Sequence, residues 1–94
     1  MKKMVIWPVY IDVTRTRAEG RKIRRRDAVK SPKITEIERV AASLGLEPEV
    51  EEEKAYPKAH WERSGRVLVK KVASKGKILR DIAEGIKRMR GKGR

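Results

Sequence analysis

From Met4 to Val13 the chain reads MVIWPVYIDV, almost continuously apolar or aromatic and rich in β-branched residues. The run is too short for a typical helix, and its composition predicts a strand. Apolarity on successive residues predicts partial cover on both faces. Pro8 has no N–H for a ladder, which predicts an edge position or a bulge. Thr14 to Lys30 follows neither a period of 2 nor one of 3.6 and contains Gly20. It predicts a long loop, of a length usually reserved for function or disorder. Ser31-Pro32 then predicts a helix start, with Ser31 as N-cap and Pro32 at the first helical position. Ile34, Ile37, Val40, Ala41 and Leu44 form one stripe at helical spacing. Gly45 predicts a left-handed stop, with Leu46 as its apolar companion.

Between Glu47 and Glu53 there are five glutamates and one large apolar residue, Val50. This pattern allows a weak edge strand guarded by charge. Lys54 to Gly65 reads as a connection. Arg66 to Val72 predicts a strand, ended by Ser74-Lys75-Gly76. Over Lys77–Met89, residues Ile78, Leu79, Ile82, Ile86 and Met89 share a helical face. Lys87, Arg88 and Arg90 lie near the negative end of that helix dipole. Gly85 within it costs up to about 1 kcal/mol relative to Ala.

The order β-α-β-β-α predicts an α+β fold: a three-stranded antiparallel sheet with two helices packed on one face. The third strand should lie between the first two. The other sheet face and the long loop are then open to a ligand. Residues 1–90 are expected to form one domain and 91–94 a flexible basic tail.

Charge changes the picture from fold to function. The formal net charge is +13 and 41% of residues are charged. That excess is the electrostatic footprint of a nucleic-acid binder. Seven cations fall within RTRAEGRKIRRR, residues 15–26. Arginine's planar fork suits phosphate oxygens and guanine edges. Gly20 permits positive φ and a close backbone approach to a phosphate. Glu19 is expected to orient neighbouring arginines or to accept from a base amino group. Trp7 and Tyr10, just upstream, could stack on unpaired bases or pack in the core.

Catalysis is not expected. There is one histidine, His60, beside Trp61, and no cysteine. The serines lack a histidine–acid frame, and no phosphate-cradling GxxxxGK[ST] motif occurs. A lone histidine is not a metal set, so no metal, cofactor or small-molecule substrate is expected. The N-terminal apolar run contains Pro8, ends at Asp12 and lacks a small-residue cleavage site, unlike a signal peptide. No stretch approaches the ~20 apolar residues of a membrane span. A cytoplasmic protein without membrane insertion is expected.

Two segments carry a resemblance. WPVYIDVTRTRAEGRKI followed by SPKITEIERVAASLGL resembles the 19 kDa protein family of the signal recognition particle. The shared features are Pro8, Tyr10, Ala18-Glu19-Gly20-Arg21, Ile23, Ala28-Val29, Thr35-Glu36-Ile37 and Gly45-Leu46. Lys54, Tyr56 and Gly65-Arg66-Val67 follow in order. The long lysine-rich tail of eukaryotic members is missing, so the chain resembles short archaeal ones. The resemblance implies a β-α-β-β-α fold that binds the particle RNA and clamps two adjacent hairpin tips. It further implies help for binding of the signal-sequence-binding GTPase subunit, coupled mainly through RNA. By position, Tyr10, Arg15, Thr16, Gly20, Arg21 and Lys22 carry over as RNA contacts. Arg24, Arg25 and Arg26 match no fixed pattern and are read as general phosphate contacts, together with Arg17. Trp7 joins the site as a stacking candidate. The basic loop is expected at one tip, and Lys54, Tyr56 and Arg66 at the other. The loop has few apolar residues and is expected to be mobile until RNA orders it. A ribosomal-protein-like structural RNA binder and a DNA-packaging protein are the alternatives.

Overall fold

In the computed structural model, which describes residues 2–57 and 64–92, the first strand is shorter than the apolar run predicts. β1 spans Lys3–Ile6, and Pro8–Ile11 forms a 3-10 turn. Pro8 explains the break, since it cannot donate to a ladder and its fixed φ suits the first position of a helical turn. The turn keeps its apolar side chains inside, with Pro8, Tyr10 and Ile11 buried.

The remaining elements are α1 (Ile34–Ser43), β2 (Glu49–Glu51), β3 (Arg66–Lys70) and α2 (Lys75–Lys92), with a second 3-10 turn at Arg25–Asp27. The sheet order is β1-β3-β2, antiparallel throughout. The last strand therefore lies in the centre, as the order of elements predicts, and β1 is at an edge. Met4 pairs with Val69, and Ile6 with Val67. Val50 pairs with Val67 on the other side. These residues make the apolar face, and α1 and α2 cover it. The opposite face is tied by ion pairs: Lys3–Glu49 at 2.6 Å, Lys70–Glu47 at 2.8 Å, and the part-buried Arg66–Glu51. Such pairs contribute little stability each, but they keep that face close to neutral.

α1 begins later than predicted. Ser31 takes φ +45° rather than an N-cap conformation, and Lys33 is the N-cap. Glu36 supplies the capping: its carboxylate accepts from the Lys33 N–H at 2.9 Å, half of a capping box. Ile37, Val40 and Ala41 are buried, but Leu44 is 46% exposed. Leu44 is the C-cap, so the chain turns before it can reach the core, and buried Leu46 takes that role. The helix ends as the sequence predicts. Gly45 has φ +74°. Its N–H donates to Ala42, and the Leu46 N–H to Ala41, each at 3.0 Å. This is a complete Schellman motif.

β3 stops at Lys70, and Val72 is 64% exposed. α2 starts earlier and ends later than predicted. The Ser74 hydroxyl accepts from the Lys77 N–H at 3.3 Å, so the Ser-Lys-Gly breaker is also a helix start. Gly91 and Lys92 continue the helix; Gly93 and Arg94, the rest of the expected tail, lie outside the described residues, as do His60 and Trp61. Gly85 has a reason that propensity cannot reveal. A Cβ there would overlap the Val40 side chain, so glycine lets α1 and α2 approach closely.

Candidate nucleic-acid interface

The loop from Thr14 to Lys30 is built from the core outward. Ile23, Ala28 and Val29 are buried at 3–6% exposure. The Lys22 N–H donates to the Tyr10 carbonyl at 2.8 Å. Val13 N–H donates to Val29, and Val29 N–H to Ile11, at 2.8 and 2.9 Å. These two bonds flank a parallel bridge between Asp12 and Val29. The structure thus corrects the expectation that the segment lacks anchors. Three small or branched apolar residues, spaced too irregularly to read as an element, fasten it at intervals.

Between the anchors the loop braces itself. Asp12 Oδ1 accepts from the Thr14 N–H and Oγ1–H at 2.9 and 2.7 Å, and from the Ser31 N–H at 3.3 Å. Glu19 Oε1 accepts from the Thr16 N–H at 2.8 Å, and Thr16 Oγ1 accepts from the Glu19 N–H at 3.2 Å. This reciprocal pair is the Ser/Thr-x-x-Glu arrangement used outside a helix. The backbone hydrogen bond to Thr16 is the main force holding the Glu19 carboxyl below its ordinary pKa, with nearby Arg15 a smaller cause. Glu19 therefore shapes the turn first and attends to arginine second. Arg21 is also turned inward. Its Nε donates to the Ile23 carbonyl at 2.9 Å and one terminal nitrogen to the Arg15 carbonyl at 2.6 Å.

Gly20 has φ +126°. A Cβ there would lie 2.8 Å from the Tyr56 hydroxyl. Both the backbone conformation and the tyrosine demand glycine. Tyr56 meets Trp7 edge-on, with centroids 5.5 Å apart, and Tyr10 at 6.0 Å. These residues make one aromatic cluster. The stacking expectation changes as a result. Trp7 and Tyr10 are 6% and 9% exposed, and their faces are already occupied. The Arg66 guanidinium lies 5.5 Å from the Trp7 centroid; Lys75 and Lys22 lie 4.5 and 5.5 Å from that of Tyr10. Neither ring is a free stacking surface. In addition, Tyr56 and Arg66 lie beside Trp7, and Tyr56 beside Gly20. Lys54 is exposed, and its carbonyl accepts from the Gly65 N–H at 2.9 Å. A cavity of about 170 Å³ beside the cluster is lined by Pro8, Val9, Asp12, Arg15, Glu19, Ser31, Pro32, Tyr56 and Ser64.

On the other side of the loop is a shallow cleft of about 500 Å³, lined by Arg17, Lys22, Ile23, Arg24, Arg26, Asp27 and Arg80. Arg17, Lys22, Arg24 and Arg26 come from the basic run. Arg80 comes from α2 and was invisible to a reading of the run alone, as was Lys75. Burial and the neighbouring Lys22 and Lys71 push the Lys75 ammonium below its ordinary pKa. Arg25 is exposed and does not line the cleft. α2 also props the loop from below: Lys87 Nζ donates to the Arg26 carbonyl at 2.7 Å, and Arg90 donates to those of Lys30 and Ser31 at 2.8 and 3.3 Å. Arg90 grips Glu36 with two bonds of 2.7 Å.

Among the described residues, the ion-paired carboxylates are Glu36, Glu47, Glu49, Glu51, Asp81 and Glu84. None is paired with a cation of the cleft. Among the same residues no group of three His, Asp or Glu side chains is placed to hold a metal ion. No helix there is long and apolar enough to cross a membrane.

A small α+β domain with an unbalanced, backbone-braced cationic loop is a polyanion-binding module. Comparison with known proteins gives the particular family. The family model described as SRP19 protein matches residues 5–89. The chain is 56% identical over 91 residues to the signal recognition particle 19 kDa protein of Methanosarcina acetivorans, covering 97% of this chain and 90% of that one. It therefore belongs to the signal recognition particle 19 kDa protein family. The solved structure of SRP19 in complex with the S domain of signal recognition particle RNA superposes with a TM-score of 0.85 at 43% identity, covering 88% of this chain and 95% of that one. SRP19 of the archaeon Pyrococcus furiosus, one of two proteins assembling the ribonucleic core of the particle, superposes at 0.83 with 32% identity, over 98% and 96%.

Proposed function

We propose that this chain is an RNA-binding assembly subunit of the signal recognition particle. It binds the particle RNA without catalysing a reaction, acts in the cytoplasm, and serves co-translational protein targeting. The observation that carries the reading is the cleft of five cations, Arg17, Lys22, Arg24 and Arg26 on a loop fixed to the core and Arg80 on α2, none of them ion-paired with a carboxylate among the described residues. Family membership and the RNA complex of a relative support the choice of RNA. A duplex-DNA packer would offer a recognition helix or a basic β-ribbon. Here four of the five cations sit on an irregular loop, which suits a folded RNA surface.

In this role the protein clamps two adjacent hairpin tips and so fixes the RNA before the signal-sequence-binding GTPase subunit arrives. Fixing the RNA in advance removes an ordering cost from the next binding event, which is cooperativity carried by the RNA. Arg15, Thr16, Arg17, Lys22, Arg24 and Arg26 act as contacts from the loop. Trp7, Tyr10, Gly20, Arg21 and Tyr56 hold the loop in shape. Arg25 and Lys54 add charge, and Arg66, paired with Glu51, packs its guanidinium against Trp7. The test is a titration of the GTPase subunit onto the RNA with and without this chain, and the reciprocal titration. A coupling of ~1–3 kcal/mol raises affinity about 5- to 150-fold, by the same factor in both directions. Binding of this chain that leaves the subunit's affinity unchanged contradicts the assembly role.

A further inference from the structure

Three lysines from three segments gather around one tyrosine ring. Lys22 lies on the basic loop, Lys71 follows β3, and Lys75 opens α2. The Lys75 and Lys22 ammonium groups lie 4.5 and 5.5 Å from the Tyr10 centroid, and Lys71 is near enough to repel Lys75. Among the described residues none of the three is paired with a carboxylate, whereas Lys3, Lys70 and Lys77 pair with Glu49, Glu47 and Asp81. We propose that Lys75 is an acylation site of the free protein: its amine takes the acyl group of a small acyl phosphate, and Lys22 and Lys71 receive the phosphate that leaves.

The surroundings of Lys75 work against its charged form. One ring, shared by two ammonium groups, offers a cation only modest attraction. Against it stand the water that the ring excludes and the like charges of Lys22 and Lys71. The first turn of α2 holds no acid to offset the positive end of the helix dipole. The Tyr10 phenol, held above its ordinary pKa chiefly by burial, stays neutral and supplies no counter-charge. An amine placed beside other cations becomes a nucleophile nearer to neutral pH. Lys75 as a whole is exposed, so a small reagent reaches it. The charges that free the amine also attract the donor, because an acyl phosphate is an anion. The step balances without an oxidant or reductant. The ammonium gives one proton to solvent, and the neutral amine attacks the acyl carbon. A C–N bond forms, the bond from that carbon to the phosphate oxygen breaks, and inorganic phosphate leaves. The second proton passes from nitrogen to phosphate or water. The product is a neutral amide, with one cation lost beside the cleft. Its effect on RNA binding rests on the RNA-binding reading above; the acylation itself does not.

The test incubates the free chain with acetyl phosphate near neutral pH and follows each lysine by peptide mass spectrometry, with the exposed Lys30 and Lys54 as references. Lys75 is expected to acylate about 3- to 10-fold faster than either, because more of its amine is neutral. The advantage is expected to vanish in urea, which disperses the cluster. It is also expected to shrink as pH rises towards the ordinary lysine value of 10.5, where amines elsewhere become neutral too. Lys71→Gln is expected to slow Lys75 about twofold or more while the references keep their rates. Lys75→Gln, neutral like the acylated side chain, is expected to weaken binding to the S-domain RNA about 3- to 10-fold, and Lys75→Arg to bind like the unaltered chain. Equal rates at Lys75, Lys30 and Lys54, or a preference that survives urea, overturn the acylation site. A fast Lys75 together with full affinity of Lys75→Gln overturns the effect on RNA binding and leaves the site. An unaltered chain that does not bind the RNA overturns the RNA-binding reading, and the acylation rates then decide the site by themselves.

Discussion

Arg21 lies at the centre of the loop yet directs two of its donors into the protein. The Nε bond to Ile23 and the terminal-nitrogen bond to Arg15 measure 2.9 and 2.6 Å, and both are partly buried. Together they close the chain between residues 15 and 23 around the Thr16–Glu19 turn. Replacing Arg21 with alanine removes both charge-assisted bonds. Such a bond contributes about 1.5–3 kcal/mol, and water reaching the freed carbonyls recovers part of that. A net loss of about 1–3 kcal/mol in the local stability of the loop follows. By the usual conversion this corresponds to amide exchange about 5- to 150-fold faster. The amides to follow are those of Gly20, Arg21 and Lys22, which donate to Arg17, Thr16 and Tyr10. RNA affinity should fall too, since an open loop must be reclosed on binding. The salt slope should stay unchanged, because no phosphate contact has been lost. If those amides keep their protection while the slope falls by about one, then Arg21 is a phosphate contact and not a brace.

Trp7→Ala should cost roughly 3–5 kcal/mol of stability in urea unfolding; a stable variant that has lost RNA affinity would mean that the indole faces the ligand. Gly85→Ala should destabilise by about 1–3 kcal/mol despite alanine's better helix propensity, because its methyl overlaps Val40; a gain in stability contradicts the close helix contact. The Glu36 carboxyl is held below its ordinary pKa, chiefly by its hydrogen bonds to Arg90. The unfolded chain therefore binds more protons in this window, so the stability contributed by Glu36 is present above its unfolded value near 4.5 and is lost as pH falls through the lower folded value. Urea midpoints between pH 6 and 3 should fall less steeply for Glu36→Gln than for the unaltered chain, since Glu19 and Glu47, also shifted down, remain in both; parallel curves would remove Glu36 from the account.

The strand order, the two helices and the glycine stop after α1 were legible because periodicity and turn chemistry are local. Gly45 could be read from its neighbours alone. Gly85 could not: its use depends on Val40, many residues away. Trp7 and Tyr10 show the same limit. Composition admits both a stacking and a packing role for an aromatic beside cations, and only the placement of Tyr56 and Arg66 decides between them. The basic run was visible at once, but its division of labour was not. Arg21 and Arg24 look equivalent in sequence, yet one bonds to the backbone and the other lines the cleft. Arg80 carried no signal because a single arginine on an amphipathic helix is ordinary; its place opposite the loop is a product of the fold.

The central claim is that this chain recognises folded RNA through a shaped cationic loop. The most direct test is to titrate it, across a range of salt, onto the S domain of signal recognition particle RNA and onto duplex DNA of equal length. The account predicts tighter binding to the RNA at physiological salt, with a log–log slope of about −0.7 to −0.9 for each phosphate neutralised. Equal affinity for the two, or an affinity for the RNA that does not change with salt, would contradict it.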